Sequence, residues 1–311
     1  MFEGKARDVE KAVGLHGGAQ RYVSKDGEQV VSKPFFTIVT STYNSGEDLK
    51  WTADSIRAQT FSNVQWIVAD GGSSDQTLDV IRENEDIIDY WFSAKDAGIY
   101  DAWNKALVFA QGEWIQFIGA GDELHASNVL EDVQVLLQSS YPQYNIAYGR
   151  VEVVSERKRT PLFEVGKPWI FLKGQWEMGR PALPVHPEVF HHRTLINGAN
   201  TFDTRFRIAG DSHLLLKHIL TKDPLYLPLL VDRMPLGGLS TDPEAVFKVR
   251  KEIKLINQDL GLVAPVMHRL KYAVALAVKR LVITFVPKKL RARLIDGFRV
   301  MSGRKKIWTV K

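Results

Sequence analysis

Short apolar runs and longer amphipathic stretches follow one another along the chain in a regular rhythm. The run FFTIVT (35–40) is followed by Leu49, Ala53 and Ile56 at helical spacing, behind a cap-like Ser45-Gly46-Glu47-Asp48. QWIVA (65–69) precedes a helix near 75–84, and DYWFS (89–93) precedes a helix near 99–111 closed by Gly112. WIQFI (114–118) leads to a helix near 127–138, after which NIAYG resumes the strand pattern. Strands of about five residues alternating with helices predict βαβ units, hence a mainly parallel α/β sheet with right-handed crossovers.

Ligands on such sheets bind beyond the carboxyl ends of the strands. The segments that occupy those positions are STYNSG, DGGSSDQT, SAKDAGIYDAWN and GAGDEL. Glycine, serine and aspartate are ordinary turn formers and helix caps, which accounts for much of DGGSSD. It accounts less well for Asp70, Asp96 and Asp122 on one rim, where their mutual repulsion calls for a cation or for hydrogen-bond donors.

Composition changes this picture in two ways. The 311 residues include no cysteine, so neither a disulfide framework nor a thiolate metal site exists. The net charge of +5 hides an asymmetry: from His268 onward there are thirteen Lys and Arg against the single Asp296, leaving 28 basic and 35 acidic residues before it. An acidic body argues against a nucleic-acid partner, and the basic tail points to an anionic surface. Residues 1–34, polar and without clear periodicity, read as an N-terminal extension. The N-terminus lacks the basic flank and apolar run of a secretory signal, which predicts a cytoplasmic protein.

Four blocks carry a resemblance: FTIVTSTYN, VADGGSSDQT, SAKDAGIYDAWNKALVFAQGEWIQFIGAGDEL and HPEVFHHRTLINGANTFDTRFRIAGDSHLLLK. Together they span about residues 35–220, and the sequence resembles the family 2 glycosyltransferases of the GT-A fold, of the bacterial surface-polysaccharide and lipid-linked glycan type. The resemblance implies a nucleotide-sugar-binding half (35–150) and an acceptor and catalytic-base half (151–245), and the charge pattern adds a helical basic tail (246–311). The resemblance also implies that a nucleotide-diphosphate sugar lies across the strand ends.

In such a site Thr40, Thr42 and Tyr43 would border the base and ribose. Asp70 would accept from the base, and an acceptor-only carboxylate suits the imide N–H of a pyrimidine, making a UDP-sugar the favoured donor. Asp96, Gly98 and Asn104 would follow the ribose and diphosphate; Asp101 shares a helix face with Asn104 and reads equally well as a solvated residue. Asp122 matches the last aspartate of the family's DxD-type motif and would hold Mg2+ or Mn2+ on the diphosphate, with His186 as a further metal or phosphate contact. Ala120 stands where the first aspartate is usual. A cation bridging a diphosphate needs only one or two protein carboxylates, so one can suffice.

The resemblance implies that the base that deprotonates the acceptor is Asp211, which stands ahead of an apolar helical run, with Asp203 as its competitor. The tail, RLKYAVALAVKRLVITFVPKKLRARL, holds two apolar bursts separated by Lys279-Arg280 and ended by Pro287, too short to span a bilayer. It reads as a peripheral contact with the inner face of the cell membrane; the alternative is a helix pair packed on the catalytic domain or on a partner in a homodimer. The expected activity is transfer of a sugar to a lipid-linked or polysaccharide acceptor. A catalytically idle nucleotide-sugar-binding subunit remains the alternative because of Ala120, and a nucleotidyltransferase is disfavoured because STYNSGEDLK lacks a basic triphosphate loop.

Overall fold

The structure, a computed structural model, describes residues 9, 15–19, 21, 22, 33–196, 201–237, 245–301, 306 and 309. Its centre is a ten-stranded sheet. Strands β1 (Leu15–Gly17), β2 (Phe36–Thr42), β3 (Val64–Asp70), β4 (Tyr90–Ser93) and β5 (Trp114–Gly119) alternate with helices α1 (Gly46–Arg57), α2 (Thr77–Glu83) and α3 (Ile99–Ala106). Next come β6 (Glu123–Leu124), α4 (Val129–Leu137), β7 (Ile146–Val154), β8 (Pro161–Val165), α5 (Trp169–Leu172), β9 (Trp176–Glu177) and β10 (Arg180–Pro181). A 3-10 turn at His186–Glu188 leads into β11 (Val189–His192), followed by α6 (Gly210–Ile219) and β12 (Leu225–Pro235). Helices α7 (Val246–Asp259), α8 (Val266–Phe285) and α9 (Lys288–Met301) are the last elements among the described residues.

The sheet runs β1-β4-β3-β2-β5-β11-β7-β12-β6, with β8 on β7. Its centre, β4-β3-β2-β5, is parallel, as the alternation of strands and helices predicts. The chain builds outward from β2 through β3 to β4 and then crosses to place β5 on the other side of β2. That reversal opens the crevice in which α/β sheets hold ligands. The antiparallel outer strands are not evident in the sequence pattern: β11 joins β5 to β7, and β1 edges β4. Leu15–Gly17 thus gives the N-terminal stretch a place in the sheet, while most of residues 1–34 lies outside the described residues.

Burial explains the strand character. Every residue of β3 is buried, and Phe36, Ile38, Trp66, Trp114 and Phe190 pack into one core with Leu49, Ala53 and Ile56 of α1. Those α1 positions recur at three- and four-residue spacing, the stripe a helix must bury on a sheet. Helix α3 stops at Ala106 rather than near 111. The buried Thr37–Gln65 pair is the reason: Gln65 Oε1 accepts from Gln111 N at 2.8 Å, Gln65 Nε2 donates to Phe109 O, and Thr37 Oγ1 accepts from Gly112 N. Backbone groups captured by side chains cannot continue a helical ladder.

Contacts divide the chain into two units: residues 1–152, 164–170 and 184–234, and residues 153–163, 171–183 and 235–311. The expected acceptor half, 151–245, is therefore shared between them. In the second unit α8 runs without a break through Lys279-Arg280 and ends before Pro287, so the two apolar bursts belong to one helix. No described helix is long and apolar enough to cross a membrane. The last tail residues, including Trp308 and Lys311, lie outside the described residues.

Candidate active site

The parallel register sets the rim. Thr42 pairs with Asp70 and Asp70 with Ser93, while Ser41 lies opposite Gly119, so β2, β3, β4 and β5 release their loops at one level. Thr42 Oγ1 is buried there with no hydrogen-bond partner among the described residues, and Tyr43 is 64% exposed beside it. Thr40, expected at the rim, is instead inside the sheet: it is fully buried and its hydroxyl accepts from Trp66 Nε1 at 3.0 Å. A hydroxyl held by a core indole is not available to a base or ribose.

Asp70 is also fully buried and serves its own loop. Its Oδ2 accepts from Gly72 N, from Ser73 N at 2.9 Å and from Ser93 Oγ, and its Oδ1 accepts from Ser73 Oγ. Ser73 Oγ in turn accepts from Asn44 N, and Ser74 N donates to Asn44 Oδ1, which locks the loops after β2 and β3 together. The turn-forming reading of DGGSSD is thus physically realised at Asp70.

The third loop lies on the second. A side chain at Gly71 would meet Asp96 Oδ2 at 2.8 Å and Tyr43 Cδ2 at 3.3 Å, so the loops after β2, β3 and β4 touch there. Asp96 Oδ1 accepts from Gly98 N, and Gly98 takes φ 121°, a conformation that glycine adopts at little cost. Arg207 reaches this loop, donating from Nη1 to Ala97 O. Asp101 accepts from Ala97 N and pairs with Lys105 at 2.9 Å, so it closes the loop rather than facing a ligand. Asn104 faces away as well. Its Nδ2 donates to Phe202 O and its Oδ1 accepts from Phe202 N, both at 2.8 Å, so the expected ribose contact is a clamp on a distant backbone segment.

Asp122 ends the fourth loop in a tight turn. Its Oδ2 accepts from Gly119 N at 2.8 Å, and Gly121 takes φ 98°. Thr52 of α1 fixes the turn from below: its hydroxyl accepts from Gly121 N and donates to Asp122 O. His186 is placed elsewhere than the metal reading expects. It is buried in an aromatic stack with Trp103 at 5.3 Å and Phe117 at 5.7 Å, and burial pushes its pKa down, keeping it neutral. No group of three His, Asp or Glu side chains among the described residues could hold a metal ion. The donor set around Asp122 therefore suits an ion that arrives with phosphate oxygens, not one caged by the protein alone.

Asp211 sits in the first turn of α6. Ala209, not Asp211, occupies the cap position. Asp211 Oδ1 accepts from Ser212 N at 2.7 Å and lies 3.2 Å from Tyr100 OH, whose single proton is shared between it and Ile208 O at 2.8 Å. Its competitor Asp203 is committed to Arg205, which holds its carboxyl below the usual range and binds it at 2.6 Å.

Comparison with known proteins decides the class. Residues 37–185 match the model of the glycosyl transferase family 2. The match covers just under half of the chain, whose sequence is similar to that family over those residues. An uncharacterized glycosyltransferase of Mycobacterium tuberculosis is 26% identical over 70% of this chain and 82% of its own. A PGL/p-HBAD biosynthesis glycosyltransferase of Mycobacterium bovis is 28% identical over 58% and 68%. Among solved structures, Staphylococcus aureus TarS in complex with UDP-GlcNAc covers 83% of this chain and 77% of its own at 17% identity and TM-score 0.56. The mannosyltransferase PcManGT of Pyrobaculum calidifontis, in complex with GDP-Man and Mn2+, covers 99% and 94% at 16% identity and TM-score 0.54. These structural likenesses establish the GT-A fold.

Several residues of the site escape a reading of the sequence alone. Thr52 and Tyr100 sit on helices where their spacing marks only a buried face, and Arg207 lies in a segment read for its aspartates. Behind the rim lies a further buried polar layer. Asp232, on β12, is fully buried; Gln116 Nε2 donates to its Oδ2 and to Pro187 O, both at 2.8 Å. Burial, with Asp122 and Glu188 nearby, pushes the Asp232 carboxyl well up, and burial pushes Glu188 up to about 9. Beneath the rim the Glu188 carboxyl is thus neutral at neutral pH, and the Asp232 carboxyl is shifted in the same direction.

Proposed function

We propose that this glycosyltransferase moves a sugar from a nucleotide-diphosphate sugar, with a UDP-sugar favoured, to a lipid-linked or polysaccharide acceptor. The reading rests above all on one relationship: Asp211 is held by Tyr100, two residues beyond the Gly98 that turns the third rim loop. A general base is thereby tied to the loop edge on which Thr42, Tyr43, Asp70, Asp96 and Asp122 are gathered.

In this proposal Thr42 and Tyr43 border the base and ribose, and Asp70 shapes the loop that receives the base. Asp96 and Gly98 follow the ribose and diphosphate, with Arg207 supplying positive charge beside them. Asp122 contributes a carboxylate to Mg2+ or Mn2+ that enters with the donor; bound there, the ion would offset charge on the leaving diphosphate. Asp211 Oδ2 has no hydrogen-bond partner among the described residues and takes the proton of the acceptor hydroxyl as the new bond forms. A base acting opposite a leaving diphosphate gives backside attack, hence inversion without a covalent nucleophile. The test is turnover of UDP-, GDP- and dTDP-sugars with Mg2+ or Mn2+ by the native chain and by Asp211→Asn. Donor binding without turnover in both would reassign the protein as an idle nucleotide-sugar-binding subunit.

The tail is assigned to the anionic surface of the inner face of the cell membrane. Met267, Leu270, Val274, Val278, Leu281 and Phe285 of α8 recur at three- and four-residue spacing and are all at least 45% exposed. From His268 onward the sequence carries thirteen Lys and Arg against one acid, Asp296, which is buried and accepts from Thr309 N and Oγ1. Each basic residue near such a surface adds about 1 kcal/mol. Flotation of the full chain with phosphatidylglycerol vesicles, compared with Leu270→Gln/Leu281→Gln, tests this: equal flotation of the two proteins would remove the apolar face from the contact.

A further inference from the structure

Helices α7 and α8 and the connection between them line an open groove of about 650 Å3 within the second unit. Arg250, Lys254 and Arg269 line it, and no Asp or Glu is among its lining residues. Three cations gathered without an acid repel one another, and an anion between them relieves that repulsion. Two polar atoms at the wall are also unsatisfied: His268 Nε2 and Tyr272 OH are screened from solvent and have no hydrogen-bond partner among the described residues. Their rings lie nearly parallel, 6.2 Å apart. The charges of Arg250 and Arg180 act on the Tyr272 hydroxyl, opposing the upward push of its burial.

The rest of the wall is apolar. Ile253, Leu262 and Val263 contribute to it, and Val263 is 76% exposed. Val263 continues at three- and four-residue spacing into Val266, Met267 and Leu270, the start of the exposed apolar row of α8. A free phosphate would explain the cations but not the apolar wall. A hydrocarbon chain alone would explain the wall but not the cations. An amphiphile with an anionic head satisfies both, and a phosphomonoester, carrying about −1.5 to −2 charges at neutral pH, matches three cations better than a singly charged phosphodiester.

We propose that the groove between α7 and α8 binds the phosphomonoester head of a long-chain lipid, with its chain leaving past Val263 along the apolar row of α8. Arg250, Lys254 and Arg269 meet the phosphate oxygens, and Tyr272 OH and His268 offer further hydrogen bonds. This inference rests on the assignment of the tail to a membrane surface, and the two can fail separately.

The experiment is calorimetric titration of the full chain with dodecyl phosphate below its micellar concentration, beside inorganic phosphate and dodecyl maltoside. Arg250→Gln/Arg269→Gln, two exposed positions, is titrated in parallel. Dodecyl phosphate should bind at least about tenfold more tightly than either comparison ligand, and the double substitution, which removes two charge-assisted hydrogen-bond donors, should weaken it by about tenfold or more. Equal binding of dodecyl maltoside, equal binding of inorganic phosphate, or no effect of the substitutions would overturn the proposal. Flotation of the native chain on phosphatidylglycerol vesicles without dodecyl phosphate binding would remove the pocket and keep the membrane contact. Dodecyl phosphate binding that meets both criteria without flotation would keep the pocket and remove the membrane contact.

Discussion

The phenolic oxygen of Tyr100 lies 3.2 Å from Oδ1 of Asp211 although 111 residues separate them in sequence. The contact gives the carboxylate an orientation set by α3, the helix that begins beside the third rim loop. Burial and the nearby Asp211 push the Tyr100 pKa well up, so the hydroxyl remains a donor throughout the working pH range. Tyr100→Phe removes that donor and leaves the ring. The expected result is a fall in kcat of about tenfold with the KM for the donor sugar unchanged, as for a residue that orients the base without touching the nucleotide. Steady-state kinetics at saturating acceptor would check this.

Asn104 provides a contrasting case. Its two hydrogen bonds to Phe202 are buried, so Asn104→Ala leaves two backbone groups unpaired and should cost about 3 kcal/mol of stability. Nucleotide affinity of the folded protein should change by less than about twofold, because the side chain does not face the ligand; a loss worth more than 1.4 kcal/mol would indicate direct contact. Thermal unfolding and nucleotide titration separate the two effects.

Glu188 makes a prediction about pH. Its folded pKa is about 9 against an ordinary value of 4.5, so the native state binds the extra proton between those limits. Stability from this group is fully present below about 4.5 and is lost as pH rises towards 9. Glu188→Gln keeps an acceptor for Val185 N but cannot ionise. The melting temperature of the native protein should fall more steeply than that of the variant between these limits, and the curves should draw together at the acidic end. Asp232, whose carboxyl is raised mainly by burial and in part by Asp122 and Glu188, loses the Glu188 contribution in the variant, which adds to the difference with the same sign.

Asp122 carries the metal prediction. Asp122→Ala should abolish stimulation of turnover by Mg2+ or Mn2+, while affinity for free nucleotide in chelator falls by less than about twofold, because the ion is shared with the diphosphate rather than caged by protein. Nucleotide titration with and without metal reads both quantities, and melting temperature reports any loss from the Oδ2 contact to Gly119 N.

The parallel centre of the fold was legible because its signals are local: buried runs such as QWIVA, amphipathic α1 and glycine-bearing loops at each strand end. The outer strands were not. β11 is a four-residue strand whose place between β5 and β7 depends on pairing with residues far away in the chain. The same distinction runs through the candidate site. Asp70 and Asp122 are recognisable from their loops, since each shapes the turn in which it lies. Thr40, Asn104 and His186 looked equally polar in sequence, but their surroundings are Trp66, the backbone of Phe202 and an aromatic stack, contacts that only tertiary packing creates. Tyr100 was overlooked for the converse reason: on a buried helical face its ring resembles core, and only its hydroxyl reaches Asp211.

The central claim is that Asp211 is the base of a sugar transfer organised on this rim. Its most direct test is single-turnover transfer from a nucleotide-diphosphate sugar by the native chain and Asp211→Asn, with donor affinity measured on the same samples. The account predicts intact donor binding with transfer reduced by at least about a hundredfold, the scale of general base catalysis. Native transfer that persists unchanged in Asp211→Asn would contradict it.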